Sequence, residues 1–94
     1  MDSLWERALN LAGEPLRTKN DDAFTFEQVS ERCINVTVEG GGVHTVSRIQ
    51  FDRADDAKLA IAGVTAKQLK DEAGVKKGQS YVAGIIQELV RRGL

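Results

Sequence analysis

Apolar residues recur every three or four positions near the start of the chain, which is the spacing of one buried helix face. The residues in this pattern are Trp5, Ala8, Leu9 and Ala12. Ser3 and Glu6 have the spacing of a capping box, in which each side chain satisfies a free backbone donor at a helix start. Gly13 and Pro15 supply a C-cap and a stop. The pattern therefore predicts a helix over residues 4–12.

Apolar and polar residues alternate in the middle of the chain, as they do in strands with one buried face. This alternation predicts strands at residues 23–29, 33–38 and 43–46, after a polar connector at 18–22. The three glycines at 40–42 can adopt the positive φ angles of a tight reversal. We therefore expect a three-stranded antiparallel meander.

Two helices are predicted after the meander. Residues 47–62 contain apolar positions that do not fall on one face, and we interpret them as a helix with Asp52 as the candidate position for a break. Residues 65–73 form a second helix, with Gly74 where a C-cap belongs. Both segments open with capping-box spacing, in the pairs Ser47 with Gln50 and Thr65 with Gln68.

The clearest helical pattern in the chain covers residues 80–92. Its apolar face is formed by Val82, Ile85, Ile86, Leu89 and Val90. At 100° per residue these positions span about 140° of the helix surface. The opposite side, which we expect to face solvent, carries Ser80, Gly84, Gln87 and Arg91, with Glu88 beside them.

The chain has the length and composition of one small folded domain, residues 1–94. Leu, Ile, Val and Phe make up 25 of the 94 residues, above the roughly 20% below which disorder is expected. In so short a chain the apolar faces must be pooled in one core, which we predict to contain Trp5, Phe24, Val36, Leu69, Val82, Ile85, Ile86 and Leu89. The predicted fold class is α+β: an N-terminal helix, the meander, and a C-terminal helical half.

The last third of the chain resembles the helix-turn-helix of winged-helix DNA-binding proteins. The resemblance covers residues 64–94, where Leu69 and Ala73 would pack the first helix on the second and the Gly74–Val75 pair would make the turn. It implies that the helix from Ser80 is a recognition helix. Val82 lies two residues further from Gly74 than the family's tight turn allows, and the sequence ends where a β wing would begin. The hairpin within residues 23–46 is an alternative wing, and two amphipathic helices packed on a small sheet are the structural alternative.

Charge is unevenly distributed along the chain. Residues 1–62 hold seven basic and eleven acidic residues, whereas residues 63–94 hold six basic and three acidic ones. A basic segment can attract a polyanion. Our hypothesis is a non-catalytic domain that binds duplex DNA through Lys76, Lys77, Ser80, Gln87, Arg91 and Arg92.

Enzymatic chemistry has the least support in this sequence. Cys33 is the single cysteine and His44 the single histidine, so a disulfide within the chain cannot form, and the two side chains are too few for the four ligands of a structural zinc site. The glycines at 40–42 join two strands, whereas a phosphate loop joins a strand to a helix. We therefore expect no catalytic residue, no cofactor and no metal.

A protein-interaction module is the alternative function. The net charge of −1 favours it, because a DNA-binding domain is usually plainly basic. Such a module would use the edge of the meander or the face of the first helix, as a homodimer, with another protein, or beside a DNA-processing enzyme. No apolar run reaches the roughly 18 residues of a membrane span, and the first residues lack the basic segment and apolar stretch of a signal peptide. We therefore expect a soluble cytoplasmic protein without a membrane segment.

Overall fold

The computed structural model describes residues 2–18 and 21–93, and within them the chain has the predicted α+β class. Lys19 and Asn20 of the predicted connector, and Leu94 at the end of the predicted helix-turn-helix, lie outside the described residues. The described elements are α1 (Leu4–Ala8), a 3₁₀ turn (Leu9–Leu11), β1 (Leu16–Arg17), β2 (Ala23–Ser30), β3 (Cys33–Val38), β4 (Val43–Ser47), α2 (Arg48–Asp56), α3 (Ala66–Ala73) and α4 (Gln79–Arg92).

In the described residues the sheet has four antiparallel strands in the order β1-β2-β3-β4, so the prediction of three strands was one too few. The additional strand, β1, pairs Leu16 with Phe24 and Arg17 with Ala23. Two residues are too few to produce a visible alternation. Nothing in the local sequence therefore distinguishes this strand from a loop.

The three predicted strands do form a meander, and its two faces differ sharply. Gly40 and Gly41 have φ angles of +101° and +94°, which gives the tight reversal between β3 and β4. One face, called the inner face, is buried through Phe24, Phe26, Ile34, Val36 and Val46. The outer face is exposed at Thr25, Thr37 and Thr45. The helices thus cover one side of the sheet.

The first two helices pack on each other across the end of the sheet. The Ser3 hydroxyl accepts a hydrogen bond from the Glu6 amide at 3.2 Å, which is one half of the predicted capping box, and donates to the Glu6 carboxylate at 3.2 Å. The Leu4 amide donates to the Asp55 carboxylate at 3.2 Å. The rings of Trp5 and Phe51 meet edge to face with centroids 5.4 Å apart. These contacts join α1 to α2.

The segment predicted as a helix over 47–62 is shorter and differently capped. Helix α2 passes through Asp52 without a break and stops at Asp56, after which Lys58 has a left-handed φ of +58° that cannot continue a helix. The reversal lets Leu59 turn back into the core. Ser47 precedes α2, but its side chain makes no capping hydrogen bond.

Helix α4 lies at the centre of the fold and is enclosed on almost all sides. Every residue from Val82 to Ile86 is buried, and all eight predicted core residues belong to one apolar cluster. Gly84, which we expected on the solvent face, is buried instead. A β-carbon at this position would lie 3.0 Å from the Arg17 carbonyl oxygen and 3.3 Å from the Phe24 ring. The helical pattern identified one buried face, but β1 covers a second one.

We expect Ile85→Ala to destabilise the domain by about 2 to 5 kcal/mol, because Ile85 is fully buried and truncation leaves a cavity. Urea denaturation followed by circular dichroism measures the loss. The matched control is Ile61→Ala, since Ile61 is 44% exposed and should change stability by only about 0.5 kcal/mol. Equal losses at the two sites would contradict the assignment of α4 as the core helix.

Candidate nucleic-acid interface

The predicted pair of helices in the last third of the chain is present as α3 and α4. Thr65 begins α3 with a complete capping box: its hydroxyl accepts from the Gln68 amide at 3.1 Å, and the Gln68 side chain accepts from the Thr65 amide at 3.0 Å. Gly74 ends the helix in the left-handed conformation at φ +70°. Both ends of α3 are therefore set by local sequence, as predicted.

The turn between the two helices, residues 74–78, separates apolar from charged side chains. Val75 is fully buried and anchors the turn in the core. Gly78 has a φ of +69°, and a β-carbon there would lie 2.8 Å from a methyl group of Val46 on β4. The turn therefore packs directly against the sheet, and the two residues between these anchors, Lys76 and Lys77, project into solvent.

Two further lysines reach the same region from α3. Lys67 and Lys70 line a shallow hollow of about 400 Å³ between α3 and the first turn of α4, together with Asp71, Gln79 and Ser80. Lys77 borders a second hollow of about 480 Å³ between β4 and the same helical turn. We call Lys67, Lys70, Lys76 and Lys77 the lysine cluster. All four are exposed, and within the described residues none of them forms an ion pair.

The predicted base-reading residues differ in what they can reach. Ser80 is exposed in the first turn of α4, beside the lysine cluster. Gln87 is only partly exposed, and its side-chain amide donates a 2.6 Å hydrogen bond to the Val64 carbonyl. That bond fastens the loop before α3 to the middle of α4. Gln87 thus has a structural partner that sequence periodicity could not indicate.

Arg91 and Arg92 lie at the opposite end of α4, roughly 16 Å along the helix from Ser80 at 1.5 Å per residue. Both guanidinium groups bond to the Glu88 carboxylate, Arg92 at 2.7 Å. Arg92 also donates to Glu14 at 2.6 Å, which ties the end of α4 to the segment after α1. Two carboxylates therefore neutralise the two arginines.

The same contacts lower the pKa of Glu88 from its ordinary value of 4.5 to about 2, first through the Arg91 hydrogen bond and next through the one from Arg92. A lowered pKa means that the folded state favours the charged carboxylate. The stabilisation is therefore complete above pH 4.5 and is lost as the pH falls towards 2.

Cys33 and His44 lie on opposite faces of the sheet. His44 pairs with Val36 on the inner face, where its ring lies 5.3 Å from the ring of Tyr81, while Cys33 is one residue away from buried Ile34 and so faces outward. The Cys33 thiol and the His44 imidazole are therefore too far apart in direction to act together as a nucleophile and its base. Across the described residues, groups of three His, Cys, Asp or Glu side chains that could hold a metal ion are absent.

No family model, curated protein or solved structure matches this chain. Within the described ranges, none of the helices is long and apolar enough to cross a membrane. Sequence reasoning had placed Lys76, Lys77 and Ser80 at the start of α4, where the structure brings them together. It had not included Lys67 and Lys70, whose i, i+3 spacing on the exposed side of α3 was the available signal.

We expect Glu88→Gln to lower stability at pH 7, because the variant loses both charged contacts to Arg91 and Arg92. The difference from the wild type should shrink below pH 4.5 and become small near pH 2, where about half of the wild-type carboxylate is protonated in the folded state. Urea midpoints from pH 7 down to 2 measure this. As a control, Glu72→Gln removes an exposed carboxylate outside these ion pairs and should leave the pH dependence as it is. A gap that stays constant with pH would refute the role of Glu88.

Proposed function

We propose that this domain binds nucleic acid without catalysing a reaction, and that its main ligand is duplex DNA. The DNA would contact the lysine cluster around the first turn of α4. The observation that carries the proposal is the contrast between the two kinds of basic residue. Arg91 and Arg92 are held by carboxylates, whereas the four lysines are exposed without an acidic partner among the described residues. Positive charge that folding does not neutralise is available to a ligand.

Phosphate groups are the ligand that fits such a cluster. Flexible lysines contact the phosphate backbone as point charges, and each neutralised phosphate releases condensed counterions. The nearest acidic residues in the sequence, Asp71 and Glu72, leave the cluster with a local excess of two positive charges. The cluster is modest in size. We therefore expect contact with a short stretch of backbone.

The first turn of α4 also favours a phosphate ligand. Gly78 provides no side-chain cap, and no acidic residue occupies the first turn of this 14-residue helix. The helix therefore brings no carboxylate of its own to the positive end of its dipole, while Asp71 of α3 lines the hollow beside Gln79 and Ser80. Ser80, exposed in this turn, adds a hydroxyl that can bond to a phosphate oxygen.

The burial of α4 determines the mode of contact. A recognition helix lies along the major groove and needs an exposed face over several turns. Residues 82–86 are buried, so α4 would approach a duplex with its first turn only. Such contacts position the protein without reading bases. Affinity should accordingly fall in the non-specific range, with Kd about 10⁻⁴ to 10⁻⁶ M.

We expect the double variant Lys76→Ala, Lys77→Ala to bind every DNA sequence more weakly than the wild type. Two lost phosphate contacts should also make the plot of log affinity against log salt shallower by up to about two units. Fluorescence anisotropy with labelled random duplex and single-stranded oligonucleotides at several salt concentrations measures both effects.

The matched control is Arg91→Ala, Arg92→Ala, which changes the net charge by the same amount at the other end of α4. It should retain more affinity than the lysine variant, because these arginines are already paired with Glu88 and Glu14. Equal losses would mean that overall charge, rather than the lysine cluster, governs binding. Absence of binding by the wild type at about 100 μM, the weak end of non-specific affinity, would reject the proposed function.

A further inference from the structure

Strand β4 is the last strand of the sheet, and among the described residues no strand pairs with the outer side of its backbone. Hydrogen bonds from Val38 to Gly42 and from Arg48 to Arg32 show that even-numbered positions of this segment face β3. Hydrogen-bonding directions alternate along an antiparallel strand. The backbone groups of Val43, Thr45 and Ser47 therefore point away from the sheet.

Strand β4 itself lacks the features with which proteins block unwanted strand pairing, and the nearest lysine, Lys77, belongs to the turn that borders the hollow beside it. Such features are edge prolines, charged side chains, bulges and covering loops. The sequence of β4, Val-His-Thr-Val-Ser, has no proline, lysine, arginine or carboxylate, and its pairing with β3 is regular. The opposite side of the sheet is protected: β1 covers part of β2, the Gly13 amide donates to the Phe26 carbonyl at 2.8 Å, and a register shift follows Gln28.

An exposed apolar side chain lies near each end of β4. Val43, at its start, is 58% exposed, and Ile49, just beyond its end, is 49% exposed. Ile49 borders a hollow of about 640 Å³ together with Cys33, Ser47 and four charged residues, Glu31, Arg32, Arg48 and Asp52. In an antiparallel pair, the start of one strand lies opposite the end of the other. A second copy would therefore bring each exposed valine to the other copy's hollow.

We propose that β4 pairs with β4 of a second copy of this chain, antiparallel and about a twofold axis at Thr45. This register opposes Val43 to Ser47 of the second copy and Thr45 to its own counterpart, so all three outward-pointing residues are paired. An edge that carried charge would repel its copy, whereas β4 brings no like-charged side chains into opposition along the strand. The two four-stranded sheets become one sheet of eight, and the free edge disappears.

Thr45→Pro tests the strand pairing directly. Proline removes the outward amide at the twofold axis and leaves the inward bonds of His44 and Val46 to β3 intact. Sedimentation equilibrium, without nucleic acid and up to about 1 mM protein, should show the wild type approaching twice its 10.3 kDa mass. The variant should dimerise at least roughly tenfold more weakly, because two hydrogen bonds are lost. Thr45→Ala, which keeps the amide, should dimerise like the wild type.

A second pair of variants tests the proposed register. Val43→Lys places a charge on the edge and should also weaken dimerisation, whereas Val29→Lys changes a similarly exposed valine on β2 and should not. Hydrogen exchange should show the amides of Val43, Thr45 and Ser47 becoming protected as protein concentration rises.

Three outcomes would overturn the proposal. The first is a wild type that stays monomeric throughout the concentration series. In that case the partner of the β4 edge would be an extended segment of another protein. The second is a dimer that Thr45→Pro does not weaken although its circular dichroism is native. The third is a dimer in which the three outward amides keep exchanging as in the monomer. Because all measurements are made without nucleic acid, they are independent of the proposed function.

Discussion

The enclosure of α4 is the constraint on which the rest of the structure depends. A domain of this size has little apolar surface to bury, and one helix packed on nearly all sides uses more of it than a helix buried on one face. Close approach of β1 requires that position 84 carry no side chain, since a β-carbon would lie 3.0 Å from the Arg17 carbonyl. Glycine costs helix stability in a helix interior. Here the packing of β1 and Phe24 offsets that cost.

Burial of the middle of α4 also divides the basic residues near this helix into two groups, one at each end. Residues 82–86 in the middle of the helix are buried, and its two exposed ends differ in electrostatic character. At the carboxyl end, Glu88 and Glu14 neutralise Arg91 and Arg92 and tie the helix to the segment after α1. At the amino end the lysines have no such partners within the part of the chain that the structure describes. Basic residues near the end of a helix are therefore not equivalent: the arginines stabilise the fold, and the lysines leave a surface on which a ligand can act.

Local signals predicted most of this fold, and the misses on α4 share one physical cause. Alternation located β2, β3 and β4, and the pair Thr65 and Gln68 located α3, because these patterns arise from neighbours in sequence. The misses arise from distant contacts. The partner of Gln87 is a carbonyl 23 positions earlier, and the burial of Gly84 depends on a two-residue strand far from it in sequence. A helical pattern identifies the most apolar face but not a second element that covers the polar one. For the same reason the lysine cluster emerges only when α3 and α4 are placed side by side.

The turn between α3 and α4 links the two proposed surfaces. Val75 fixes it in the core, and Gly78 packs against Val46 of β4, so Lys76 and Lys77 hold a set position relative to the sheet edge. Pairing of two β4 strands about a twofold axis would place two lysine clusters at one fixed separation. Twofold proteins that bind DNA use this arrangement to contact equivalent positions on the duplex. Linked sites also bind more tightly than either one alone. A cluster too small to hold DNA firmly in the monomer would thereby become one half of a larger surface.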